Sequence, residues 1–473
     1  MKILLNCYYT KEHTKIQKNY FPTGLLSLAA YSSKRLQGIS ITILDGPLEI
    51  NDIVSCKPDL LGIMLASPLF SIGCQTIQAI KMKYPGLPII LGGYHITYLP
   101  ENLPGDCEIG VLGEGEETFF QLLKLMMEKG CFPSTELKKI KGIVYWDGVF
   151  LRQNEQRAPM LLQEDIPILT NHEICTFKYV RPIAYHVVAS RGCPHRCLFC
   201  TSSPFWNGVS YASIAAVVTQ IEHLIETYHP SGIHFLDDLL IANKPFLVSL
   251  HNEIISRKIN KKTSFGCWAT GAHFNDEIAR LLLEMNFSFL GFAIESGSPS
   301  IYRELKGSWN SPEKNARAIK LARAFGFYVS VSTIVGAPSE TVADLKKTCT
   351  YLKSLPFCDG IVQPLKAYPG TRLWERAKSK NLVPVRIKDW SIIEREDILH
   401  NDTLFYAEKA SREDVHSCLN KIKSIYRKKR IWSFVIRKIN KIYSLFVGGE
   451  SVGNNGYRDR FCLFLLLCFY SIL

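Results

Sequence analysis

The sequence predicts an α/β protein: a doubly wound parallel sheet, then most of a (β/α)6 barrel, then a mainly helical C-terminal region. Three observations carry this. Apolar, β-branched runs alternate with helically spaced runs over the first ~130 residues. Six further strand–helix pairs follow from residue 181. Beyond them the strand signal stops and the chain turns basic. The expected divisions are residues 1–135, a linker with a hairpin over 136–180, the second α/β unit over 181–390, and the helical remainder over 391–473.

In the first unit, MKILLNC reads as a strand, TGLLSLAAYSSKRL has helical spacing, and ISITILDG is a β-branched strand ending in an Asp-Gly turn. LLGIML, LPIILGGYH and CEIGVLGEG read as buried parallel strands, with helices over 73–84 and 116–129. A doubly wound sheet binds ligands beyond the carboxyl ends of its strands. Asp45, Ser67, Gly92, Gly93, His95 and Glu114 all fall there, so they are the candidate ligand face, with the two glycines allowing close approach to the backbone. KGIVYWDGVFLR reads as a hairpin turning at Asp147-Gly148.

The second unit runs through AYHVVASRGC, SGIHFLDDLLI, TSFGCWATG, FLGFAIESGS, YVSVSTIVGAP and DGIVQPLKAYPGT, with helices expected over 212–228, 276–285, 312–325 and 339–354. A barrel of this kind carries its active site at the strand C-terminal ends. The first of these ends holds RGCPHRCLFC, residues 191–200.

At 473 residues, 47% hydrophobic and 21% charged, the chain is globular and not disordered. Its 15 cysteines are too dilute for a small disulfide scaffold, and no secretory leader is read at the N-terminus. A reducing cytoplasm is therefore expected, where clustered cysteines serve metal or redox chemistry. Cys193, Cys197 and Cys200 form a CxxxCxxC with Phe199 before the last cysteine. Zinc normally takes four ligands, and none follows nearby; His195 lies awkwardly between the first two cysteines. Three thiolates can instead hold three irons of a [4Fe-4S] cluster, leaving the fourth open. The remaining cysteines lack clustered spacing and read mostly as buried small hydrophobes.

CPHRCLFC resembles the cluster motif of radical SAM enzymes. In that family the open iron is chelated by S-adenosylmethionine, whose reductive cleavage gives a 5′-deoxyadenosyl radical, and the cofactors carry the difficult chemistry. FLDDLL (235–240) resembles the segment that supplies acceptors for the SAM amino group, which implies that role for Asp237 or Asp238. AIESGSP (293–299) resembles the ribose- and methionine-contacting strand end, through Glu295 and Ser296. TIVGAPSET (333–341) resembles the strand end packed on adenine, through Gly336, and AYPGTRLWERA (367–377) the closing strand and helix. Without the resemblance, the Asp pair is also a helix cap, Glu295 a paired barrel carboxylate and Gly336 a loop start.

FPTGLLSLAAY (21–31), LDG, GGYH and GEGE resemble the Rossmann-like domain of cobalamin-dependent radical SAM proteins. The resemblance covers roughly residues 1–390. It implies a corrinoid over the first sheet's strand ends, its nucleotide tail beside Gly92-Gly93. The DxHxxG loop that ligates cobalt in cobalamin carriers is missing, so no histidine of that motif is expected below the corrinoid; His13 and His95 remain candidates. The leading expectation is cobalamin-dependent methyl transfer to an unactivated carbon. The alternatives are cyclisation or rearrangement with the same cofactors, methylthiotransfer (for which Cys7, Cys56 and Cys74 would have to hold a second cluster), and a non-enzymatic corrinoid-binding protein. The resemblance also implies an electron donor such as flavodoxin or ferredoxin.

Between residues 421 and 447 the chain has nine Lys or Arg and no acid, interleaved with aromatic residues, and 461–473 (FCLFLLLCFYSIL) is almost wholly apolar. That tail is shorter than the ~20 residues needed to span a bilayer. Two readings stand: a surface helix with its tail packed on the protein, or peripheral contact with the inner face of a membrane. The substrate is expected to be a small molecule or lipid. A basic stripe alone does not separate RNA phosphates from lipid phosphates, and nucleic acid is not the expected partner.

Overall fold

A computed structural model describes residues 1–9, 22–160, 175–177, 185–384, 386–395, 397–400 and 404–446. His13, most of the segment between 161 and 184, and the apolar tail 461–473 lie outside the described residues.

The first domain is built on an eight-stranded sheet. Its strands are β1 (Lys2–Cys7), β2 (Ser40–Asp45), β3 (Leu60–Met64), β4 (Ile89–Gly92), β5 (Ile109–Val111), β6 (Ile143–Asp147), β7 (Phe150–Gln153) and β8 (Cys175–Phe177). They lie in the order β7-β6-β5-β4-β3-β1-β2-β8. All neighbours are parallel except β5–β6 and β6–β7. β1 and β3 are buried along nearly their whole length, as parallel strands covered on both faces must be. Of the stretch expected as a linker with a hairpin, 136–180, the described residues add three strands to this sheet. The hairpin β6–β7 extends one edge of this sheet and β8 closes the other.

The second domain is a parallel sheet of six strands: β9 (Tyr185–Val187), β12 (Gly232–Phe235), β13 (Ser264–Ala269), β14 (Phe287–Glu295), β15 (Tyr328–Val335) and β16 (Asp359–Pro364), in chain order across the sheet. Ile233, Phe235, Phe265, Leu290, Phe292, Val329 and Val331 pack into one core with the covering helices. Alternation then turns His234, Phe289 and Gly291 toward the other face. Side chains of Ser213, Asn275, Ser311 and Thr341 cap the helices Ile214–Tyr228, Asp276–Glu284, Pro312–Ala324 and Val342–Ser354, which fixes where each begins.

Two short strands, β10 (Ser190–Arg191) and β11 (Ser210–Tyr211), pair antiparallel and clasp the cysteine loop at its base. Gly192 opens that loop at φ 89°, where a Cβ would lie 1.9 Å from the Gly208 carbonyl oxygen, so only glycine fits. The C-terminal helix Arg412–Phe446 covers the edge strand β16. Its Tyr426 ring rests on Gly360, and the Tyr426 hydroxyl is 2.5 Å from Thr333 Oγ1.

Candidate active site

The carboxyl ends of both sheets face one cavity of about 520 Å3. The first domain contributes Cys7, Tyr9, Asp45, Met64, Gly92, Gly93, Tyr94 and Glu114; the second contributes Ser190, Arg191, Trp206, Leu236 and Asp238. The two glycines divide the work expected of both. Nothing stands within 4 Å of a Cβ built on Gly92, so that position leaves room for a ligand. Gly93, at φ 101°, would drive a Cβ to 2.7 Å from the Leu65 carbonyl oxygen, so its glycine serves the chain's own turn. Burial holds the Asp45 carboxyl up to about 6, against hydrogen bonds from Tyr9 and Cys7.

Ser67 and His95 do not line this cavity. Ser67 is buried where a short 3-10 turn begins. Past Gly93 the chain enters the helix Tyr94–Tyr98, which swings His95 back into the core. There its ring stacks on Phe70 at 3.7 Å, meets Trp390 edge-on at 4.5 Å, and pairs through Nε2 with Asn102 at 3.1 Å. Burial pushes it down to about 3, leaving it neutral. Strand-end position placed it correctly in sequence; the helical turn that follows reversed its side chain.

The cysteine loop is pinned at Leu198, whose N–H donates to Leu305 O (2.7 Å) and whose carbonyl accepts from Leu373 N (2.9 Å). Phe199 is half-buried against the apolar cluster that contains Leu198, Ile301, Leu305 and Leu373. Cys193, Cys197 and Cys200 are free and partly exposed. Burial raises all three thiols, Cys193 to about 11 and Cys197 to about 12, while backbone N–H groups of His195 and of Ser202 and Ser203 donate to Cys193 and Cys200. The Lys306 charge acts on all three in the opposite direction. N–H donors and a cation around a thiol triad suit sulfurs that become anionic on binding metal. Among the described residues no three His, Cys, Asp or Glu side chains converge on one ion. Three thiolates with N–H donors beside them fit a polynuclear cluster, where each takes its own iron, better than a four-ligand zinc site.

His195 is no ligand candidate here. Its ring lies flat on Trp309 (3.4 Å, 3°) and its Nε2 is 3.0 Å from that of His273. Arg196 is exposed. Arg191, by contrast, has a side chain only 11% exposed and crosses between domains. Its guanidinium donates to Glu114 Oε1 (2.9 Å), Glu116 Oε1 (2.6 Å) and Ser27 Oγ (2.9 Å). Glu114 also accepts from Met160 N at 2.7 Å. Neither arginine of the motif thus reads as a simple counter-charge for a cluster.

Of the Asp pair, only Asp238 reaches the cavity, bonded by Ser202 Oγ beside the cysteine loop. Asp237 is buried, accepting from Ala189 N (3.1 Å) and Ser190 Oγ (2.5 Å), and burial raises it to about 6. Glu295, at φ 50° where the β14–β15 register shifts, pairs with Lys306 Nζ at 2.9 Å, both buried. Ser296 is buried against Thr348 (3.0 Å) and accepts from Ser298 N, a turn-holding role. Gly336 takes φ 87°, its N–H bonded to Glu340 Oε2 at 2.6 Å. Lys306, Tyr94 and two of the Arg191 partners, Glu116 and Ser27, escaped the sequence reading, which had placed the third, Glu114, on the ligand face; nothing in the local pattern YRELKG marks Lys306 as facing Glu295 and the thiols.

Residues 187–352 match the family model described as the Radical SAM superfamily. An uncharacterized methyltransferase of Pyrococcus horikoshii is 30% identical over 403 residues, covering 81% of this chain and 84% of that one. The solved radical S-adenosylmethionine methyltransferase TsrM from Kitasatospora setae, with cobalamin and a [4Fe-4S] cluster bound, superposes with a TM-score of 0.67 at 16% identity, over 90% of this chain and 88% of that one. The cobalamin-dependent S-adenosylmethionine radical enzyme OxsB does so at 0.66 and 15%, over 99% and 75%.

Proposed function

The chain belongs to the radical SAM superfamily, and on that premise we propose that it transfers a methyl group, with a corrinoid, to an unactivated carbon. One observation carries the reading. The strand ends of a doubly wound domain and the base of a radical SAM cysteine loop open into the same cavity, through Gly92 on one side and Asp238 on the other. When bound, the cluster and S-adenosylmethionine supply a 5′-deoxyadenosyl radical and the corrinoid supplies the methyl group.

The chain's own residues hold and orient. Cys193, Cys197 and Cys200 hold three irons, with Phe199 and Leu198 fixing the loop that carries them. Asp238 accepts the amino group of S-adenosylmethionine; Asp237 secures the strand end behind it. Glu295 keeps Lys306 in place beside the thiols, and Ser296 and Gly336 shape the turns that border the nucleoside. Gly92 leaves space for the corrinoid, while Asp45 and Glu114 line its face of the cavity. Arg191 joins the two domains so that both cofactors would share one cavity. The substrate is a small molecule or lipid, and a flavodoxin or ferredoxin delivers the electron. Peripheral contact with the inner face of a membrane, through the basic C-terminal helix, belongs to the same reading.

Anaerobic purification with cobalamin, followed by iron and cobalt analysis, tests it. About four irons and one cobalt per chain are expected, and reduction with S-adenosylmethionine should release 5′-deoxyadenosine. Methyl transfer to substrate also yields S-adenosylhomocysteine, which cyclisation does not. Iron without cobalt, or a rearranged product with no added methyl, would overturn the proposal. About eight irons would instead support methylthiotransfer.

A further inference from the structure

We propose that the outward face of the C-terminal helix docks on an anionic lipid bilayer, the protein lying on the surface without crossing it. The inference rests on the peripheral placement above and is independent of the radical chemistry. It starts from how the helix Arg412–Phe446 divides its faces. Val415, Cys418, Leu419, Ile422, Ile425 and Tyr426 are buried against the barrel. On the same side Lys429 Nζ donates to Leu355 O (2.6 Å), Arg430 pairs with Asp359 (2.7 Å) and Ser433 Oγ donates to Cys358 O (3.1 Å). At 3.6 residues per turn the opposite side falls on 427, 428, 431, 434, 435 and 438.

That side is apolar where a packed surface helix should be polar. Ile431, Phe434 and Val435 are 53%, 55% and 37% exposed, and Trp432 beside them is 38% exposed. Four large apolar side chains within five residues form a patch, not scattered surface hydrophobes. Exposed Arg427, Lys428 and Lys438 ring it, and the Lys438 ammonium lies 5.1 Å over the Phe434 ring. Long basic side chains around buried-length apolar ones are what an interfacial helix needs: the rings and aliphatic groups enter the acyl boundary while the cations stay with lipid phosphates. Charge complementarity selects an anionic bilayer over a second copy, since two copies would bring two such basic rims together. Among the described residues no helix is long and apolar enough to cross a membrane.

The test is co-sedimentation of the full chain with phosphatidylcholine vesicles, with and without phosphatidylglycerol. Binding is expected only with phosphatidylglycerol and should weaken with salt. A basic residue near an anionic surface is worth about a factor of five, so the triple variant Arg427→Gln, Lys428→Gln, Lys438→Gln should bind roughly a hundredfold more weakly. Trp432→Ser with Phe434→Ser should lose about tenfold or more. S-adenosylmethionine cleavage by these variants should be unchanged, which reports an intact fold. Vesicle binding unaltered in both variants would overturn the helix face and leave peripheral contact to another segment, such as 461–473. No vesicle binding by the unmodified chain would overturn both. So would binding of the basic face to RNA alone, or a concentration-dependent dimer that the Trp432 and Phe434 changes abolish.

Discussion

Replacing Arg191 with methionine should destabilise the protein by about 3–5 kcal/mol, because it strands two carboxylates inside the molecule. Arg191, Glu114 and Glu116 side chains are 11%, 10% and 5% exposed, and the two ion pairs span 2.9 and 2.6 Å. The loss is capped by proton uptake, because a stranded carboxyl neutralises instead of staying charged. The same argument fixes a pH dependence. With Arg191 present, that charge and Ser27 hold Glu116 below the ordinary carboxylate range against the opposing effect of its burial, while burial holds Glu114 above it. The Glu116 contribution is therefore present above its unfolded pKa and lost as pH falls through the depressed folded value. Without Arg191 both carboxyls sit above their unfolded values, so stability is lost as pH rises from about 4 toward neutrality. Thermal melts of the anaerobic holoprotein at about pH 5 and about pH 8, at one scan rate, read this directly. The variant's deficit should be larger at the higher pH. Adding Glu114→Gln and Glu116→Gln should recover most of it, since a neutral triad carries no stranded charge. A deficit equal at both pH values, or a triple variant no more stable than the single one, would refute the reasoning.

Three other outcomes follow from the same geometry. Cys197→Ser should lower iron below about four per chain and abolish 5′-deoxyadenosine release, whereas Cys107→Ser, at a buried cysteine of the first domain, should leave both unchanged. Gly93→Ala should cost about 1–3 kcal/mol through its positive φ and the Leu65 carbonyl; Gly92→Ala should keep the melting temperature and lower cobalt retention, because its methyl enters open cavity. Asp237→Ala should destabilise by about 1–3 kcal/mol by orphaning Ala189 N and Ser190 Oγ, whereas Asp238→Asn should leave stability intact and weaken S-adenosylmethionine binding about tenfold by calorimetry.

Strand identity and cofactor class were legible wherever the information is local. The apolar runs MKILLNC, ISITILD and LLGIM are β1, β2 and β3, and the helix expected over 116–129 is found at Glu116–Lys129, because periodicity and caps act within one turn or one strand. CxxxCxxC is equally local: its spacing sets which sulfurs one loop can present. Edge assignments were less legible, since whether the hairpin over 143–153 adds to a sheet depends on a partner strand, β5, more than thirty residues earlier.

Side-chain direction and distant pairing belonged to the tertiary structure. Sequence placed Asp237 and Asp238 together just past one strand end; only the fold turned one into the cavity and the other onto Ser190. His95 looked like a ligand until the helix after Gly93 stacked it on Phe70. Glu295 found Lys306 across a strand bulge, and Arg191 found Glu114 and Glu116 across a domain boundary. Local spacing determines what a loop can bind. Which charge is buried beside it is a question of packing, and packing is settled only when distant segments exclude water together.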